Sequence, residues 1–129
     1  DQLAVPVDRF FDRLRPDRSY WRLGWGILDT ADWYTPIDGT AAPRPADLAP
    51  EEMFLRVERE TLRRFPATNC VLFTIRTYVA PLDTVVTPAA RRRLAVALEA
   101  MPDDVRGYKD LAHTAQGIVA HLQLTVPRT

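Results

Sequence analysis

The sequence predicts an α+β fold: strands with a helix ahead of them and two helices behind them. Three observations predict it. Large apolar residues alternate with a two-residue period through residues 20–29 and again through 70–79, as half-buried strands require. Residues 4–15 carry an apolar stripe at helical spacing. From Thr87 onward the chain has the caps and periodic stripes of helices, with no further strand-like run.

In the first helix, over 4–15, Pro6 suits an opening turn, and Val7, Phe10, Phe11 and Leu14 share a face. Pro16-Asp17 stops it. The first strand puts Trp21, Leu23, Trp25 and Ile27 on one face and Gly24 and Gly26 on the other. Glycines alternating with large residues mark either a close approach to the backbone or plain packing under a helix. Residues 35–50, with Pro36, Gly39, Pro43, Pro45 and Pro50, read as a loop.

Residues 51–65 support two readings. Pro50-Glu51-Glu52 is a good helix start, and Met53, Phe54, Val57, Thr61, Leu62 and Phe65 make a helical stripe. The run from Leu55 also alternates as a strand, and Pro66-Ala67-Thr68-Asn69 is a fair hairpin connection to the strand that follows. In that strand Val71, Phe73, Ile75, Thr77 and Val79 face one way, and Cys70, Leu72, Thr74, Arg76 and Tyr78 the other. Thr87 caps and Pro88 opens the next helix, with Leu94, Ala97, Leu98 and Met101 inward. Pro102-Asp103-Asp104 restarts a turn leading to Tyr108. A last helix after Asp110 turns Leu111, Ala115, Ile118, Val119 and Leu122 inward.

At 129 residues, 47% hydrophobic and 26% charged, the chain (1–129) reads as a single soluble domain. Seventeen basic and seventeen acidic residues cancel, which argues against bulk-charge binding to nucleic acid or to a membrane surface. No apolar run approaches the roughly 20 residues that span a bilayer. No signal peptide is visible and Cys70 is the only cysteine, as expected of a cytoplasmic protein. The chain starts at Asp1, so it reads as a processed or truncated piece of something longer. Nearly every cation is arginine, Lys109 being the only lysine, so planar donors for carboxylates are plentiful.

The chemistry that can be read locally is sparse. His113 and His121 are eight residues apart, about 12 Å along a helix, too far to share a metal ion, and read as surface or partner contacts. There is no phosphate loop and no nucleophile elbow, and Cys70 has no histidine nearby in sequence. The hairpin is more informative, because Arg76 interrupts an apolar, β-branched run and a buried guanidinium needs a partner. If the turn pairs Phe65 with Cys70, then Arg63, Thr61 and Arg59 lie opposite Leu72, Thr74 and Arg76, and Glu58 and Glu60 point to the other face. Two readings follow. Either Arg76 pairs with Glu58 or Glu60 in a ladder, or Arg59 and Arg76 hold the carboxylates of a bound ligand whose apolar part is walled by Trp25 and Tyr78.

Three phrases extend this reading: Trp21-Arg22-Leu23-Gly24-Trp25-Gly26-Ile27-Leu28-Asp29, Leu55-Arg56-Val57-Glu58-Arg59-Glu60-Thr61-Leu62-Arg63-Arg64 and Leu72-Phe73-Thr74-Ile75-Arg76-Thr77-Tyr78. Together with Tyr108-Lys109-Asp110-Leu111, they resemble the haem-dependent oxidative N-demethylase alpha-subunit family, from about residue 5 to 122. The likeness is to the C-terminal half of a longer PAS-like haem domain. It implies an antiparallel sheet with strands at 20–29, 55–65 and 70–80, followed by helices at 88–101 and 110–123. It implies a b-type haem, with Arg59, Arg76, Trp25 and Tyr78 as cofactor-binding residues and an iron ligand outside this chain. The implied reaction removes a methyl group oxidatively from a small amine with O₂, electrons coming from flavin or iron–sulfur partner subunits. The family often has Gln where this chain has Glu60, which bears on the ladder reading. The other class open to such a chain is a non-enzymatic PAS-like module that binds a small molecule or senses one.

Overall fold

The computed structural model describes residues 4–34, 48–84 and 87–124. The elements run α1 (Ala4–Asp12), β1 (Ser19–Leu28), a short 3-10 turn (Pro50–Glu52), β2 (Phe54–Arg64), β3 (Val71–Pro81), α2 (Pro88–Glu99), α3 (Asp103–Tyr108) and α4 (Ala115–Leu124). The strands form one antiparallel sheet in the order β1-β2-β3. The expected α+β architecture is therefore present. Most of the expected loop at 35–50, with Pro36, Gly39, Pro43 and Pro45, lies outside the described residues.

The ambiguity at 51–65 resolves by division. Pro50–Glu52 makes a single helical turn, with the Glu52 carboxylate reaching back to the Ala49 N–H (3.3 Å). The helical stripe stops there, because β2 is the middle strand and has a partner on both sides. Non-local pairing of this kind outweighs a local helical pattern.

The described residues divide into two compact units. The first takes those up to Gly24 together with Val57–Thr77; the second takes those of Trp25–Arg56 and those from Tyr78 onward.

In the first unit the Phe65 N–H donates to the Cys70 carbonyl (2.9 Å), and the Asn69 N–H to the Phe65 carbonyl (2.9 Å). Asn69 sits in the left-handed region (φ 57°), which asparagine tolerates better than most residues. Counting back from the Phe65–Cys70 bond, Arg63 stands opposite Leu72, Thr61 opposite Thr74 and Arg59 opposite Arg76, as the turn length predicted. Helix α1 ends earlier than the expected residue 15, where the Arg13 and Leu14 N–H groups turn back to the Phe10 and Phe11 carbonyls (3.1 Å each). Arg64 then ties this end down: its Nη2 donates to the Phe11 carbonyl (2.5 Å), its Nε to the Leu14 carbonyl (3.1 Å) and its Nη1 to Asn69 Oδ1 (2.5 Å). One guanidinium thus satisfies helix-end carbonyls and the hairpin turn together.

The first unit buries little. Among its described residues only Leu14 is fully buried, while Trp21 (61%), Phe73 (50%) and Ile75 (53%) are half exposed or more. Arg76 is exposed as well. This corrects the premise that Arg76 is a buried charge, because the apolar run around it does not form a covered core.

The second unit carries the hydrophobic core. Ile27, Met53, Leu82, Ala95, Leu98, Met101, Leu111, Ala115, Ile118 and Leu122 form one cluster. The Leu82 N–H donates to the Met53 carbonyl (2.8 Å), in the register counted from the hairpin turn. The inward face expected of the last helix is present: Ala115, Ile118 and Leu122 are buried and Val119 packs against the cluster. That helix starts at Ala115 rather than at 110, because Asp110 takes a left-handed conformation (φ 52°) that no helix accommodates. On α2 most of the expected face is present, with Leu98 and Met101 in the core and Leu94 packed against it. Ala97 is exposed, and the buried stripe is Arg91, Ala95 and Leu98. A charged residue could be buried at the start of that stripe because Asp83 meets it there (2.9 Å).

Thr87 accepts the Ala90 N–H (3.4 Å) and Pro88 opens α2, as expected. At the other end Arg106 donates to the Leu98, Glu99 and Met101 carbonyls (3.2, 3.4 and 3.0 Å). Thr87→Ala is expected to cost about 1 kcal/mol, seen as a lower midpoint in urea unfolding. Thr87→Asp should recover most of the loss.

Candidate functional site

The first unit presents two different sheet faces. On one, Tyr20 and Arg22 of β1, Glu60 and Leu62 of β2, and Val71 and Phe73 of β3 form the floor of a groove. Val7, Phe10 and Phe11 of α1 form its wall, and Trp21 closes an edge. Its volume is about 800 Å³ and its lining is mostly apolar, within the usual range for small-molecule sites. Phe10 meets Phe11 and Tyr20 edge to face, with ring centres 5.8 and 6.2 Å apart. The expected helix face of Val7, Phe10 and Phe11 therefore exists, but it lines a groove instead of a closed core.

The charged groups of the groove are paired. Arg22 Nε donates to Glu60 Oε2 at 2.5 Å. Glu60 is mostly covered, while Arg22 is 78% exposed. This hydrogen bond raises the pKa of the Arg22 guanidinium above its ordinary value, so its positive charge is permanent at any working pH. The pairing also answers the ladder reading for Glu60, whose carboxylate binds Arg22 of β1. An added Cβ at Gly24 would lie 3.6 Å from Glu60 Oε1, an ordinary contact, so a close approach does not force glycine there.

The opposite face carries arginines. Arg59 and Arg63 of β2 are exposed, as is Arg76 of β3, and the register sets Arg59 opposite Arg76. The Arg59 guanidinium lies over the Trp21 ring, 5.6 Å from its centre, a cation–π geometry that orders an otherwise free side chain. Two of the four residues expected to hold a ligand, Arg59 and Arg76, are thus neighbours in the first unit.

The other two belong to the second unit. Trp25 is half-buried and packs against the core cluster. The Lys109 ammonium lies 5.2 Å from the centre of its ring and donates to the Trp25 carbonyl (2.6 Å). Tyr78 is exposed.

Residues 1–119 match the family model described as haem-dependent oxidative N-demethylase, alpha subunit-like. The chain belongs to this family. The family's description carries haem dependence, and the words alpha subunit place its members in assemblies of more than one subunit. No helix among the described residues is long and apolar enough to cross a membrane.

How these residues fit a haem divides between its edge and its iron. Haem carries two carboxylates, and the Arg59–Arg76 pair suits them. For the iron, protein ligands are His, Cys, Met or Tyr. The two methionines, Met53 and Met101, are buried in the core. Cys70 is exposed, with its thiol directed at the Thr68 carbonyl (3.7 Å). The Tyr20 hydroxyl accepts the Arg15 N–H (3.4 Å). His113 is exposed. His121 is engaged at both ring nitrogens, with Nε2 2.6 Å from Asp83 Oδ1 and Nδ1 3.1 Å from Glu51 Oε1. Tyr34, Tyr78 and Tyr108 are exposed, and none of these groups is assigned as a ligand to the iron.

The setting of His121 differs from the surface role expected of it. Asp83 Oδ1 also accepts a hydrogen bond from Arg91 (2.9 Å), so one carboxylate joins α2 to α4, and Glu51 ties the 3-10 turn to the same imidazole. Sequence reasoning also missed the Arg22–Glu60 pair. A signal was available: Glu60 was assigned to the face opposite Arg59, and Arg22 falls on the Gly24 side of β1.

Proposed function

We propose that this chain is part of a haem-dependent oxidative N-demethylase that acts on small methylated amines with O₂. In this reading it contributes to a PAS-like domain holding a b-type haem, works in the cytoplasm, and receives electrons from flavin or iron–sulfur partner subunits. Bound haem would supply the O₂-dependent oxidation of the N-methyl group.

The role assigned to this chain is to hold the edge of the cofactor. Arg59 and Arg76 would each hold one haem carboxylate, for which a planar guanidinium fork is suited. Family membership supports the reaction class; the observation that carries the residue assignment is the register that sets Arg59 opposite Arg76 on one face.

Arg59→Ala and Arg76→Ala should each weaken haem binding by about tenfold or more, since a hydrogen bond to a charged group contributes about 1.5–3 kcal/mol. The measurement is haem per polypeptide after reconstitution. Unchanged loading, with only a lower melting temperature, would show that the two arginines serve the sheet and not a cofactor.

A further inference from the structure

We infer that the groove between α1 and the sheet is a second binding site, for a small amphiphilic carboxylic acid with a flat, apolar body. It lies on the sheet face opposite Arg59 and Arg76, and no step of the proposed demethylation uses it.

Three observations carry this. First, the groove is concave, about 800 Å³ in volume, and lined by the rings of Phe10, Phe11, Tyr20, Trp21 and Phe73. Phe10 (45%) as well as Trp21 and Phe73 stays substantially exposed. Apolar surface gathered in a concavity of this size is the usual form of a small-molecule site. Secondly, the wall is held in place: Arg64 fixes the end of α1 through the Phe11 and Leu14 carbonyls, so the groove exists before any ligand arrives.

Thirdly, the charged pair selects the head group. Arg22 binds Glu60 through Nε alone, and among the described residues its terminal nitrogens have no hydrogen-bond partner. They form an exposed, permanently charged edge on the groove lining, which suits a carboxylate bonded through two parallel N–H groups. A cationic head is disfavoured. Among the described residues that line the groove Glu60 is the only carboxylate, and it is largely covered and already committed to Arg22.

The test uses three probes with one body and different heads: pyrenebutyrate, pyrenebutanol and pyrenebutylamine, titrated into the full chain and followed by fluorescence anisotropy. Pyrenebutyrate should bind at one site per chain, about tenfold more tightly than the alcohol, with the amine weakest. Arg22→Gln should erase the preference of the acid over the alcohol while leaving alcohol binding in place. Phe73→Asp should abolish binding of all three, and circular dichroism checks that the variant is folded. Arg76→Ala should leave all three affinities unchanged, which separates this site from the proposed cofactor face. Tightest binding by the amine, an acid preference that survives Arg22→Gln, or displacement of pyrenebutyrate by haem would each overturn the inference.

Discussion

Ile118→Ala is expected to lower the stability of the second unit by about 2–5 kcal/mol. Ile118 is fully buried in α4, in the same cluster as Met53, Leu98, Leu111 and Leu122. Removing its branched chain loses the transfer free energy of three carbons and leaves a cavity that close-packed neighbours fill only in part. Native domains are stable by about 5–15 kcal/mol in all, so the loss is a large fraction of the total. Val119→Ala, one residue along and only half-buried, should cost clearly less. Urea unfolding of both variants measures the difference. Equal small losses would contradict the placement of the core on that face of α4.

Arg64→Ala should have the largest effect in the first unit, about 2–4 kcal/mol, since each hydrogen bond from a charged donor contributes about 1.5–3 kcal/mol and the bonds are not additive. The arginine holds two carbonyls at the end of α1 and the Asn69 side chain of the hairpin turn. A lysine provides one compact charge instead of a planar fork, so Arg64→Lys should recover less than half of the loss. Amide hydrogen exchange reports it directly. Protection of the α1 amides should fall in Arg64→Ala and the groove should lose its ligand affinity, with exchange in α4 unaffected. Unchanged protection of α1 would show that its seat does not depend on Arg64.

The parts of the fold that could be read from sequence are those set by local chemistry. The Thr87-Pro88 start of α2, the inward stripe of α4 and the presence of β1 and β3 each follow from neighbouring residues. So does the Phe65–Cys70 register, because a four-residue connection leaves little freedom. The rest depends on residues far apart. The residues of β2 alone leave a helical stripe in competition with a strand; the family resemblance implies the strand, and the two partners of β2 in the sheet account for it. Glu60 finds Arg22 across a strand pair whose connection is long, and no local pattern sets that register. Arg91 could be buried only because Asp83 lies beside it, and His121 is held by groups from separate elements. Arg76 misled for a related reason. An apolar run implies burial only where something covers it, and in the first unit the strand residues around Arg76 stay exposed.

Haem binding through the Arg59–Arg76 face is tested by an absorption spectrum. The protein is purified from its native reading frame, reconstituted with haem, and its spectrum recorded before and after reduction and addition of CO. A Soret band that shifts on both treatments and weakens in the Arg59→Ala and Arg76→Ala variants is the expected result. A protein that takes up no haem, or one whose Soret band is the same in both variants, would contradict it.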